Sequence, residues 1–220
     1  MTTFEPFKDL ILSLPTGEQE FYAKQSTWIP MIADNPELHL WQQHLVGETV
    51  HVKRRHLYNC DATAPNGILH VLIWGYPSGG RGANIQKCIA NISDISGALT
   101  QLKHIEIPTL GDLINFSNAC KQINGLGMST WSKLLHFNHI SFDGYESNIY
   151  DKVIKDVITL RRIDLSEYID NSIRNTDVRE YMAYLKFLTD HASKIGAKSV
   201  QIELFLYLIA RRFDIELNTH

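Results

Sequence analysis

The sequence predicts an all-α protein whose helices pack as two lobes. Three observations lead there. Apolar residues return every three or four positions through most of the chain, which is the period of one helix face. Outside a continuous apolar run at 67–76, little alternates with the period of two that a half-buried strand needs. The 220 residues, 44% of them apolar, can build one large core or two small lobes but not several independent domains. One unit over 1–220 is expected, with an N-terminal helical part at 1–108, a central segment at 109–162, and C-terminal helices at 163–220 packing back on the core.

In chain order, Phe4, Phe7, Ile11 and Leu14 make a helical stripe that Pro15 stops. The helical pattern restarts after Thr16 with Phe21 and Tyr22, and again over 36–46 with Leu38, Trp41 and Leu45 behind Pro36. Residues 48–59 continue as a helix carrying Lys53, Arg54 and Arg55. Periodicity alone does not assign the run at 67–76 to strand or helix. The segment 77–82 (PSGGRG) is a loop, having three glycines and a proline. Ile85, Cys88, Ile89 and Ile92 form a stripe within 83–93, and Thr109 precedes a helix over 110–122. A glycine-rich turn at 124–127 leads to a helix at 129–138, a loop at 139–147 and a helix from about 149 to 160. Helices over 165–173, 178–192 and 200–213 complete the series.

The formal net charge of −3 argues against a polybasic nucleic-acid binder. Its distribution says more. Residues 1–50 carry two basic and seven acidic groups, 51–162 twelve and eight, and 163–220 seven and nine, so the net charges are −5, +4 and −2. A basic middle attracts phosphate even between acidic ends, because salt screens charges beyond roughly 10 Å. Cys60, Cys88 and Cys120 are odd in number and form no CxxC pair, so reduced, buried thiols are expected. The first fifteen residues put acidic groups around a short apolar run, unlike a signal peptide, and no apolar stretch reaches the length of a membrane span. A cytoplasmic protein with no membrane partner is the expectation.

The segment 123–137 (INGLGMSTWSKLLHF) carries the most chemistry. Gly125 and Gly127, between two amphipathic helices, make a tight helix–hairpin–helix turn in which positive φ and close backbone approach are available. The amides of residues 128–130 then open a helix and point outward. Such an N-terminus binds phosphate, with the Ser129 and Thr130 hydroxyls beside it. Eighteen residues after Lys133, Asp151 heads the next helix. A lysine and a carboxylate meeting across a cleft suit imine chemistry, in which an amine attacks a sugar anomeric carbon and the carboxylate supports the cation. Taken singly, each is an ordinary helix residue; what distinguishes them is their place beside the turn.

These residues resemble the helix–hairpin–helix core of DNA glycosylases, and most resemble the bacterial 8-oxoguanine glycosylase-like branch. There a Ser/Thr-Lys pair runs into a Leu-aromatic stretch, matched by Ser132, Lys133, Leu135, His136 and Phe137, and a helix-opening aspartate follows, matched by Asp151. Residues 74–82 (WGYPSGGRG) are also similar. In the better-known glycosylases the catalytic lysine stands two residues after the second hairpin glycine, where this chain has Ser129, and Lys133 lies one helical turn further on. The aspartate motif usually continues with His or Arg two residues later, where Val153 stands. The four-cysteine iron–sulfur loop of some relatives is absent.

The resemblance implies a two-lobed, all-α glycosylase fold and a monomer acting on double-stranded DNA that contains a modified purine. Lys133 would displace the base to give a Schiff base, Asp151 would support the transition state, and β-elimination could nick the strand. Gly125, Gly127, Ser129, Thr130, Lys152 and Arg81 are the expected nucleic-acid contacts, with Lys155 as a further phosphate neutraliser. Trp74 or Tyr76 either stacks on a base or lies in the core. No cofactor is implied. Although there are ten histidines, no HExxH and no completing carboxylate or cysteine is present, so no metal is expected. There is no GxSxG elbow or P-loop ending. Two other readings remain: a helix–hairpin–helix protein that binds DNA without catalysis, and a defence-associated enzyme acting on a modified guanine.

Overall fold

The computed structural model describes residues 4–38, 48–80, 83–161 and 163–211. Among them the chain forms α1 (Lys8–Ser13), β1 (Glu20–Lys24), α2 (Gln25–Ile32), β2 (Thr49–Lys53), α3 (Arg54–Tyr58), α4 (Pro65–Gly75), α5 (Asn84–Ala90) and α6 (Ile92–Lys103). There follow α7 (Leu110–Gln122), α8 (Met128–Phe137), β3 (Ser141–Phe142), β4 (Tyr145–Glu146), α9 (Lys152–Leu160), α10 (Thr176–Ile195) and α11 (Ser199–Arg211). The fold is all-α, as the helical periodicity predicts, with two small antiparallel sheets added. No helix among the described residues is long and apolar enough to cross a membrane.

Three predicted helices change. Residues 20–24 and 49–53 are paired strands, with Phe21 opposite Val52 and Ala23 opposite Val50. Their pairing partners lie far apart in the chain, so the ladder itself is not visible locally; the β-branched Thr49, Val50 and Val52 and the alternation of 49–53 were the local hints. Helix therefore begins only at Arg54 in the segment expected to be helical over 48–59. The stretch 165–173 holds just one 3-10 turn, Ser166–Tyr168. Asp164 and Asp170 explain it, since their carboxylates accept the backbone N–H of Ser166 at 2.8 Å and of Ser172 at 2.9 Å. Such local bonds compete with helical ones. The expected helix over 36–46 falls mostly outside the described residues, which show a 3-10 turn at Pro36–Leu38.

Elsewhere the sequence signals operate as physics requires. Pro65 opens α4, resolving the ambiguous apolar run as a helix buried on nearly all sides. The stripe at 83–93 breaks at Asn91 and resumes as α6. Thr109 caps α7 in a capping box, the Thr109 hydroxyl accepting from the Asp112 amide while the Asp112 carboxylate accepts from the Thr109 amide at 2.8 Å. The loop at 139–147 contains the β3–β4 hairpin, turned by Asp143 and Gly144 at φ 50° and 84°.

The core gathers around α8 and α10. Every residue of α8 from Thr130 to Phe137 is buried, including Ser132, Lys133 and His136. From α10, the Tyr181 and Tyr184 hydroxyls donate to the Asn148 and Ile149 carbonyls at 2.9 and 3.0 Å. They clamp the extended segment that leads into α9, and so fix where Asp151 stands.

Candidate active site

The hairpin joining α7 to α8 is closed by Leu126 N–H on the Ile123 carbonyl at 3.1 Å. Its two glycines do different work. Gly125 has φ +89°, and a Cβ there would lie 2.4 Å from the Asn84 carbonyl oxygen, so this glycine seats the hairpin on the start of α5. Gly127, expected to need the same freedom, has an ordinary φ of −90° and open space beside it; it is the N-cap of α8. The free amides are also fewer than expected. Thr130 N–H already donates to the Gly127 carbonyl at 2.9 Å, which leaves those of Met128 and Ser129 without a partner among the described residues. The Thr130 hydroxyl is buried against the Tyr76 hydroxyl at 2.8 Å rather than turned outward.

Lys133 and Asp151 are brought together. Lys133 Nζ lies 3.0 Å from Asp151 Oδ2 and 2.9 Å from the Ser129 carbonyl oxygen, and its side chain is only 3% exposed. Helical side chains lean toward the N-terminus, so an amine one turn late in sequence arrives beside residue 129. Indeed Nζ is 3.4 Å from Ser129 Oγ. Tyr76 walls this site from another side, its ring centroid 5.2 Å from Nζ, and Gly75 leaves the passage through which the lysine stem runs.

Asp151 is the N-cap of α9, and its Oδ1 accepts from the Val153 and Ile154 amides at 3.0 and 3.2 Å. Burial works against its charge, but the Lys133 ammonium and these amides outweigh burial and hold the carboxyl below its ordinary pKa. Ser132, next to the lysine, completes the arrangement. Its buried hydroxyl accepts from the Tyr150 amide at 3.1 Å, tying α8 to the residue before Asp151. The Ser-Lys pair thus divides its work, one member fixing the carboxylate strand and the other reaching the carboxylate.

These groups line a cleft of about 1200 Å³. Lys152 sits on its rim, exposed and paired with Asp156 at 2.7 Å. Lys155 lies against the Tyr150 ring and pairs with Glu180 at 3.3 Å. Arg81, named as a nucleic-acid contact, lies outside the described residues. Of the two expectations held for Trp74, the structure shows the core position: it is 3% exposed, with its indole N–H on the Gln19 carbonyl at 3.3 Å, and its remaining surface lines the cleft with Phe21 and Tyr76.

Sequence reasoning missed the inner end of the cleft, where Gln19 and Glu203 line it and Arg54 binds both. Arg54 read as part of a basic run, yet it is wholly buried. A signal existed in the alternation of 49–53, which turns residue 54 inward; nothing local marked Gln19 or Glu203.

Residues 15–207 match the family model described as "Putative 8-oxoguanine DNA glycosylase OGG-like protein". No curated protein matches the chain, and no solved structure does. The matched span takes in the hairpin, Lys133, Asp151 and the whole cleft lining up to Tyr207, and the chain belongs to this 8-oxoguanine DNA glycosylase OGG-like family.

Proposed function

We propose that the protein removes 8-oxoguanine, or a closely related modified purine, from double-stranded DNA with Lys133 as nucleophile and Asp151 as its proton acceptor. The observation that carries this reading is the 3.0 Å contact between Lys133 and Asp151 inside a cleft that starts beside free helix N-terminal amides. The Met128 and Ser129 N–H groups bind a DNA phosphate oxygen, and Lys152 adds charge at the rim. The damaged nucleotide turns out of the duplex into the cleft.

Asp151 Oδ2 then takes a proton from Nζ, and the amine attacks C1′ of the deoxyribose. The bond from C1′ to the base breaks, its electron pair leaving with the base, which is protonated from solvent. The C1′–O4′ bond then breaks, its electron pair going to O4′, which takes a proton from the nitrogen, and leaves a protonated Schiff base to Lys133; loss of a C2′ proton then expels the 3′ phosphate and nicks the strand. Asp151 can accept that proton because its carboxyl is ionised across the neutral range.

Borohydride should trap a covalent complex between the protein and a duplex containing 8-oxoguanine, and Lys133→Ala should abolish it. Asp151→Asn should slow base release by about 10²- to 10⁴-fold. Normal trapping by the Lys133 variant would remove the lysine from its role. Binding of the duplex with no free base detected by chromatography would favour the DNA-binding reading.

A further inference from the structure

Five polar side chains meet at the inner end of the cleft, and the scheme above uses none of them. Arg54 is their centre. Its Nη2 donates to Glu203 Oε2 and, at 2.9 Å, to His136 Nε2; its Nη1 donates to Gln19 Oε1 at 3.2 Å, and its Nε to the Tyr58 hydroxyl at 3.0 Å. His136 Nδ1 faces the Ser147 carbonyl at 2.8 Å, so the ring proton is on Nδ1 and Nε2 is an acceptor. The Tyr58 hydroxyl then gives its proton to the same Nε2 at 2.9 Å. Four of the five guanidinium N–H donors are used in these contacts.

Two groups remain over. Glu203 Oε1 and the Gln19 amide nitrogen have no partner among the described residues, and both residues line the cleft. Glu203 is 2% exposed, yet neither its Oε1 nor Gln19 Nε2 is among the sealed, unpartnered polar atoms, so both look onto the open space of the cleft. The two remaining atoms therefore belong to side chains that one arginine holds and that line the same cleft. One is an anionic acceptor; the other is an NH₂ donor. The amide cannot turn round, since flipping it would aim its NH₂ at the arginine, and the carboxylate presents an acceptor either way.

We infer that Glu203 and Gln19, both set by Arg54, are the pair that reads the six-membered edge of the extruded base, selecting a 6-oxo-2-amino purine over a 6-amino one. This rests on the glycosylase reading proposed above and sharpens it. A guanine-type edge offers N1–H and the 2-amino group to the carboxylate and O6 to the Gln19 amide. In the same pose an adenine-type edge sets its 6-amino group against the Gln19 NH₂ and its N1 lone pair against the carboxylate, so these hydrogen bonds are lost. A burial as costly as that of Glu203 is tolerable where a ligand supplies donors to its open oxygen. Phe21 and Trp74, 5.4 Å apart edge to face, supply apolar walls alongside.

8-Oxoguanine and 8-oxoadenine share the five-membered ring and differ only at this edge, so the pair of substrates isolates it. Base release from matched duplexes should favour 8-oxoguanine by about 10- to 100-fold in the unaltered protein. Glu203→Gln, which presents an NH₂ group to N1–H and the 2-amino group, should collapse or reverse that ratio. Gln19→Leu, at a half-buried position, should lower 8-oxoguanine release about tenfold and leave the thermal midpoint in place. A purely structural role would lower release of both bases together, so an unchanged ratio in folded Glu203→Gln and Gln19→Leu overturns the inference. Binding of the two free 2′-deoxynucleosides, followed by calorimetry, separates this from the catalytic reading. Discrimination lost in the variants, without base release by any form, supports the pair and sinks the chemistry; release without nucleoside or base discrimination does the reverse.

Discussion

Lys133–Asp151 and Arg54–Glu203 are both cation–carboxylate pairs on one cleft, and their carboxyl groups are driven in opposite directions. Burial disfavours the charge of each. Asp151 meets burial with the Lys133 ammonium and two α9 amides, and its pKa falls. Glu203 is more deeply enclosed and, among the described residues, is hydrogen-bonded by Arg54 with no backbone amide beside it, and its pKa rises because burial outweighs the arginine. Arg54 itself stays charged, because Glu203 and Tyr58 outweigh the burial that opposes it. The two carboxylates differ less in their cations than in their backbones. A helix N-cap has unused N–H groups to give, whereas Glu203 lies within α11, beyond the four residues whose amides a helix leaves unpaired. The first site secures a carboxylate by local structure, the second by one side chain from a distant element.

That contrast can be broken most severely at Arg54. Arg54→Met should cost about 3–5 kcal/mol of unfolding free energy in urea titration, since it strands a buried carboxylate. Arg54→Met combined with Glu203→Leu should recover most of the loss. Equal instability of the single and double variants would show that packing, not stranded charge, governs the inner end. At the other pair Asp151→Ala should cost about 1–3 kcal/mol, removing a cap and the partner of Lys133 together. Asp151→Asn should lose less, because it keeps an oxygen for the α9 amides.

The smallest effect is in the acid limb of stability. The Asp151 pKa is lowered in the folded state, so its contribution is complete above the unfolded value of about 3.9 and fades as pH falls through the folded value. Glu203 is raised, so it has the reverse sign, favouring folding below about 4.5 and losing that advantage as pH rises through its folded value. His136 adds a higher window: burial and Arg54 hold it neutral, so stability should begin to fall as pH drops below about 6.5. Thermal midpoints against pH should show a shallower acid loss in Asp151→Asn and a steeper one in Glu203→Gln. Parallel curves would mean that the two carboxyl groups titrate alike.

Much of the catalytic end was legible because its signals are local. Apolar spacing marked α7, α8 and α9, and the glycines marked their turn. Lys133 and Asp151 stood out through the motif and the helix starts on which they depend. The inner end was illegible because its members come from four separate parts of the chain. Arg54 and Glu203 are 149 residues apart, and Arg54 and Gln19 are 35 apart. Even the central charge block misled in part, since Arg54 and Lys133 are both buried and neither adds to an exposed basic surface.

The sequence by itself determined the helical class, the hairpin, and the two residues that face each other beside it, because helix period, capping and turn chemistry act over a few neighbouring residues. Only the tertiary structure decided that 20–24 and 49–53 pair as strands, that Gly127 needs no special φ, and that an arginine from a basic run becomes the buried centre of a polar cluster. Those outcomes depend on which distant groups share one low-dielectric space, where an unpaired charge is too costly to leave and its partner is chosen by the fold rather than by sequence proximity.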